Sequence, residues 1–152
     1  MGVMVEWWDG RDLRGMLPRI FFEHLRSTSL IVEHEDELIG FLIGFLCPDH
    51  DDEAYVHFAA VQPAWRCAGL GRDMDRRFFR SARAQGRTVV RAVTGPANSG
   101  SIAFHTALGF AVLPGDGAGD RTASTVDHGL HGDQRVRFEL RLDDAGPEEA
   151  PA

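Results

Sequence analysis

Cysteine is scarce in this chain: its 152 residues hold two, Cys47 and Cys67. Two isolated thiols without metal-like spacing exclude a disulfide framework, and they suit a reducing cytoplasm. Long apolar runs are lacking too. Leu38 to Cys47 is apolar but short and carries Gly40 and Gly44, well below the ~20 residues of a membrane helix. Met1-Gly2-Val3-Met4-Val5 meets Glu6 at once, so no secretory leader is expected. Positive charge is in deficit. Sixteen Lys and Arg face 23 Asp and Glu, a formal charge of −7, which argues against nucleic acid as a partner. No internal repeat is visible.

What is present is an ordinary globular balance. Apolar residues make up 43% of the chain, enough to fill one core, so a single domain over residues 1–142 is expected. Residues 143–152 are polar and acidic and read as a disordered tail. The charge is uneven. Arg66, Arg72, Arg76, Arg77, Arg80, Arg83, Arg87 and Arg91 gather in one stretch. The acidic excess lies at Asp49 to Glu53 and Asp143 to Glu149. A basic cluster on an acidic protein suits a small polyanion, and a solvated helix face explains many of the same arginines.

Periodicity orders the chain. Asp9 to Arg26 reads as helix in two pieces, the second opened by Pro18. Ser29 to Glu35 and Leu38 to Cys47 read as a hairpin about the charged turn Glu35-Asp36-Glu37. An acidic loop, Pro48 to Asp52, leads to a third strand, Ala54 to Val61. Leu70, Met74, Phe78 and Ala82 recur every fourth residue, the stripe of a helix running to Gln85 and stopped by Gly86. Thr88 to Thr94 is a fourth strand. Gly95-Pro96 breaks it, and Asn98 to Ser101 offers helix caps. A short helix then runs to Leu108, stopped by Gly109. Phe110 to Leu113 and Arg135 to Leu142 close the chain as strands, with a long polar loop, Pro114 to Asp133, between them. The whole is an α/β (α+β) mixed sheet with helices on its faces.

The most informative stretch is Arg66-Cys67-Ala68-Gly69-Leu70-Gly71-Arg72, between the third strand and the long helix. A strand ending in a Gly loop at a helix start presents unpaired N–H groups and the positive end of the helix dipole. That is a cradle for phosphate. Gly69-Leu70-Gly71-Arg72-Asp73 lacks the Lys-Ser/Thr of a P-loop and the third glycine of a dinucleotide fingerprint, which disfavours a simple nucleotide module.

Two motifs together resemble the GNAT superfamily of acyl-CoA-dependent N-acetyltransferases. Arg66 to Gly71 is similar to the family's pyrophosphate loop, Q/R-x-x-G-x-G/A. Asn98, Ser101, Phe104-His105 and Gly109-Phe110 are similar to its second signature. The resemblance covers about Ser29 to Phe110. It implies a mostly antiparallel mixed sheet in which the third and fourth strands are parallel and splayed. It implies acetyl-CoA as cosubstrate and no metal, with an acetyl or short acyl group passed to a primary amine. The acceptor stays open between a small molecule and a peptide. Similar proteins are often dimers, which makes a homodimer one option and leaves the oligomeric state open. A regulatory domain that binds acyl-CoA without turnover is the alternative. The family opens with a strand before its first helices. Either the start is truncated here, or Val3 to Trp7 is a short remnant.

By the same resemblance, Cys67, Ala68, Gly69, Leu70, Gly71 and Arg72 hold the pyrophosphate. Ala59, Ala60 and Val61 pair with the pantetheine arm, and Asn98 bonds it. His105 stands where the family commonly has a tyrosine, so it is the candidate acid for the leaving thiolate. A packed histidine is the bland reading. His57 shares a strand face with Tyr55, Ala59 and Val61 and is the candidate base. Its bland reading is a histidine bonded within the sheet. Glu33, His34 and the run Asp49 to Glu53 are weaker alternatives for the base. Trp7, Trp8, Phe21 and Phe22 read as core or a dimer contact before they read as a substrate cage. His128 and His131 read as a chance pair rather than metal ligands.

Overall fold

A computed structural model describes residues 6–8, 12–114 and 134–142. Six strands form one mixed sheet: β1 (Leu30–His34), β2 (Glu37–Leu46), β3 (Glu53–Val61), β4 (Val89–Thr94), β5 (Ala111–Val112) and β6 (Val136–Arg141). Their order is β1-β2-β3-β4-β6-β5, with β3 parallel to β4. Helices α1 (Arg19–His24), α2 (Leu70–Ala84) and α3 (Ser99–Ala107) accompany them. The expected strand order holds, with strand ends shifted by a residue or two; of the helix expected in two pieces over Asp9 to Arg26, the described residues form a 3-10 turn at Arg14–Met16 and then α1. The polar loop beyond Pro114, the acidic tail, Val3 to Val5 of the expected N-terminal remnant and the pair His128 and His131 lie outside the described residues.

The chain divides into two compact units, and β3 runs from one into the other. The first comprises Met1–Leu46 and Val56–Gln85. Its hairpin turns on Glu35 and Asp36, both at positive φ (48° and 64°), as a two-residue turn matched to strand twist requires. β2 is apolar on both faces, and Ile39 through Ile43 are buried, as a strand covered on both sides must be. Helix α2 lies against it with Met74, Phe78 and Ala82, the expected stripe, buried together with Asp75 and Phe79. Contact is closest at Gly44, where a Cβ would come within 2.5 Å of the Phe78 ring. Only a glycine permits that approach.

An aromatic core fills the rest of this unit. Trp7, Leu17, Phe41, Ile43 and Ala60 are buried, with Trp8, Leu13, Phe21, Leu38 and Phe58 packed against them. The Phe41 and Phe58 rings lie parallel at 5.9 Å, Trp7 stacks on Phe41 at 6.0 Å, and Trp8 meets Phe58 edge-on at 5.3 Å. Trp7 is therefore core, Trp8 and Phe21 its partly buried flank, while Phe22 is 44% exposed.

The second unit comprises Cys47–Tyr55 and Gly86–Ala152. Here β4 pairs antiparallel with β6 from Val89↔Arg141 to Thr94↔Val136, and β5 pairs with the outer edge of β6. The acidic loop is clamped rather than loose. The Asp52 carbonyl accepts from the N–H groups of Thr88 (2.8 Å) and Val89 (3.0 Å). Arg87 donates to the Asp51 carbonyl, and Arg91 bridges Glu53 (2.9 Å) and Glu139.

Candidate active site

The Gly loop begins with a 3-10 turn, Pro63–Trp65, that the sequence reading did not anticipate. Cys67 (φ 63°) and Gly69 (φ 87°) then both adopt the left-handed conformation. Left-handed residues within a turn face successive N–H groups toward a common concavity. Gly69 caps α2, whose first donor is Asp73 N–H to the Gly69 carbonyl at 3.0 Å. The N–H groups of Leu70, Gly71 and Arg72 precede that donor and have no carbonyl partner in the helix. Residues 66–69 are exposed, and a methyl group at Gly69 would meet no atom within 4 Å. Space is therefore open beside Gly69 among the described residues.

Arg66 has a different task from the one its place in a basic cluster implies. Its Nη2 donates to the Trp7 carbonyl at 2.7 Å and its Nε to the Val61 carbonyl at 3.2 Å. It ties the loop to the end of β3 and to the N-terminal segment. Of the arginines expected to face an anion, Arg66, Arg87 and Arg91 are thus bound within the fold. Arg72, Arg76 and Arg77 are exposed on the outer face of α2. On β3 near the loop, Ala60 is buried, Val61 half-buried and Ala59 exposed.

His57 lies in the same unit, part-way along β3. Its Nε2 is 2.7 Å from the Met16 carbonyl oxygen. A carbonyl can only accept, so Nε2 carries the proton and Nδ1 holds the lone pair in the neutral ring. The Phe21 ring stacks on the imidazole at 4.3 Å and 20°. Neither Met16 nor Phe21 was singled out as a partner of His57 from sequence. Of the weaker alternatives, His34 packs against Trp65 at 4.8 Å, and Glu53 is spent on Arg91. Glu33 is exposed on β1.

Asn98 and His105 belong to the second unit, at the start and end of α3. The Asn98 Oδ1 accepts from Ser101 N–H at 3.1 Å, the expected cap. That bond uses the acceptor of the amide and leaves its Nδ2 donors. His105 donates Nδ1–H to the Ser101 carbonyl at 2.8 Å, one turn back. Its ring stacks on Phe138 (4.6 Å, 11°) and meets Phe110 edge-on at 5.2 Å. Burial in this aromatic setting lowers its pKa, against a smaller opposing effect of the Ser101 bond. The ring is neutral near pH 7 with its one N–H committed.

Among the described residues no group of three or more His, Cys, Asp or Glu is arranged to hold a metal ion. No helix among them is long and apolar enough to cross a membrane.

Residues 4–110 match the profile of the Acetyltransferase (GNAT) family, and the chain belongs to that family. Among its relatives is the L-2,4-diaminobutyric acid acetyltransferase of Nocardia farcinica, 30% identical over 82 residues, which are 54% of this chain and 42% of that protein. The enzyme of the same name from Virgibacillus pantothenticus is 32% identical over 72 residues, 47% of this chain and 45% of the relative. The matches thus span less than half the length of these relatives. The yncA protein of Salmonella typhimurium, in a structure with its cofactor acetyl-CoA, superposes with a TM-score of 0.60. It is 24% identical, and the match covers 95% of this chain and 83% of that one.

Proposed function

We propose that this protein is an N-acetyltransferase that moves the acetyl group of acetyl-CoA to a primary amine by direct attack. The observation that carries this reading is the loop 66–72, with two left-handed residues leading into a helix start and open space at the Gly69 Cβ position among the described residues. Membership of the GNAT family and the acetyl-CoA in the yncA structure support it.

The amides of Cys67, Ala68, Gly69, Leu70, Gly71 and Arg72 hold the diphosphate, with the exposed Arg72 side chain adding charge. Ala59, Ala60 and Val61 offer main-chain groups to the pantetheine arm, and Asn98 donates to it through Nδ2. An alkylammonium acceptor, with a pKa of ~10, must lose a proton before it can attack. His57 accepts that proton at Nδ1, directly or through one water. The amine nitrogen then bonds to the thioester carbonyl carbon and gives up its surplus proton to solvent, the C–S bond breaks, and the thiolate departs. A main-chain N–H of β3 stabilises the oxyanion formed on the way.

For the thiolate's proton, two readings of His105 differ. As the acid, it would donate from Nε2 as the imidazolium. As a packing residue, it braces α3 on β6, and solvent protonates the thiolate. The committed Nδ1–H and the lowered pKa favour the second. His105→Phe separates them: unchanged kcat at saturating substrate removes the acid role.

The acceptor is a small or peptidic primary amine. Its relatives make L-2,4-diaminobutyric acid the first compound to try. The activity is tested by following N-acetyl product by mass spectrometry with a panel of amines, and coenzyme binding by calorimetry. Absence of heat with both CoA and acetyl-CoA would end this reading. We place the protein in the cytoplasm, in keeping with its free cysteines Cys47 and Cys67. We also infer a homodimer, supported by the exposed apolar side chains of Met16, Ile20 and Phe22. Sedimentation velocity checks that assembly.

A further inference from the structure

We infer that the segment from Met16 to Phe21 is part of the catalytic apparatus. The Met16 carbonyl and the Phe21 ring are the groups that present Nδ1 of His57 as the base atom. This rests on the reading of His57 as base. Met16 and Phe21 are positioning residues, acting only through the imidazole.

The argument is one of proton inventory and geometry. A neutral imidazole has one N–H, and both nitrogens compete for it. The 2.7 Å contact from Nε2 to a carbonyl oxygen decides that competition, because the oxygen has no proton to give. The lone pair is left at Nδ1, on the side of the ring nearer the main chain of β3. The Phe21 ring, 4.3 Å away and nearly parallel, blocks one face of the imidazole and limits rotation about its side-chain torsions. When Nδ1 takes a proton from the substrate ammonium, the amine becomes neutral and the ring becomes an imidazolium. The Nε2–H···O bond is then charge-assisted and stronger, and the Phe21 face meets a cation. Pro18 at the start of α1 fixes the entry of the helix that carries Phe21, so the ring arrives at His57 from a defined turn.

The test has two arms. In the first, long-range 1H–15N correlation spectra of the full chain are recorded, with His57 assigned by its loss in His57→Gln. The expected pattern for the neutral ring is a protonated Nε2 and an unprotonated Nδ1. A ring protonated at Nδ1, or an even mixture, overturns the inference whatever the role of His57 in turnover. In the second, kcat is measured for Phe21→Leu, Phe21→Tyr, His57→Gln and the double variant Phe21→Leu/His57→Gln. Phe21→Leu is expected to lower kcat about tenfold through misplacement of the base, with KM for acetyl-CoA unchanged and Phe21→Tyr restoring the rate. In the His57→Gln background the same change should do nothing further, because coupled residues are not additive. An equal loss in both backgrounds, or no loss in either, refutes positioning by Phe21. Full activity in His57→Gln would instead remove His57 as base, and the spectra would still decide the proton's place.

Discussion

Asp75 offers the sharpest quantitative test of this structure. It lies on α2 beside Met74, is 1% exposed, and neither carboxylate oxygen has a hydrogen-bond partner among the described residues. Removing the charged form from water without a partner is unfavourable, so burial pushes its pKa from 3.8 up to about 7. An acid whose folded value lies above its unfolded one binds its proton more tightly when folded. Stability is therefore fully present below pH 4 as far as this group is concerned, and it is lost as pH rises toward 7. Each tenfold step between those values is worth ~1.4 kcal/mol, so ionisation in the folded state costs about 4 kcal/mol in all.

The perturbation is Asp75→Asn, which keeps the shape and cannot ionise. At pH 5 Asp75 is protonated when folded but largely ionised when unfolded, so about 1.6 kcal/mol of the gap is already present. By pH 8 the variant should be more stable by about 3 kcal/mol relative to that starting point. Urea titrations at half-unit steps from pH 5 to 8.5 measure this as a widening gap in midpoint with no change in slope. A gap that stays constant across the range, or one that narrows as pH rises, would refute the reasoning. Either result would mean that the carboxylate is solvated or paired in solution.

Three further substitutions bear on the fold and the loop. Gly44→Ala puts a methyl into the Phe78 ring and should cost about 1–3 kcal/mol. Adding Phe78→Leu should return part of that loss in thermal melts. Gly69→Ala meets no neighbour yet must hold φ near 87°, at ~1–2 kcal/mol. If binding requires that conformation, CoA affinity should fall about tenfold by calorimetry. Asn98→Asp keeps the cap on α3 while discarding the amide donors. It should melt near the parent temperature but bind CoA more weakly, whereas Asn98→Ala should also lose about 1 kcal/mol of stability.

Much of the fold was legible because its signals are local. Pro18, the Glu35-Asp36 turn, the four-residue stripe of α2, the Gly86 stop and the Asn98 cap each act within a few residues of themselves. All of them appear where periodicity and turn chemistry placed them. What stayed hidden depends on chain segments far apart. Nothing near Asp75 announces its burial, since a carboxylate on a helix is ordinarily read as solvated. The basic cluster looked uniform in sequence, yet Arg66 reaches the Trp7 carbonyl, 59 residues away, and Arg91 reaches Glu139, 48 residues away. Composition counts charges but does not tell which of them the fold consumes.

The same division runs through the candidate site. The proposed coenzyme loop was readable because its chemistry is that of main-chain amides whose direction is set by local torsions, with Gly69 and Gly71 as its marks. The proposed base, His57, was readable only as a residue type on a strand face. What gives His57 a defined lone pair is a carbonyl 41 residues earlier, and a carbonyl has no letter in the sequence. Any of the twenty residues at position 16 would supply one, so only the path of the chain brings it to Nε2. It follows that exchanging the Met16 side chain should cost less activity than exchanging Phe21, and that shifting the main chain there should cost more than either. Inserting one glycine after Leu17 displaces the carbonyl from Nε2 without touching β3. Loss of the single His57 proton position in 15N spectra, together with a lower kcat, is the outcome this geometry requires. Full retention of both would show that the imidazole finds its orientation without the segment.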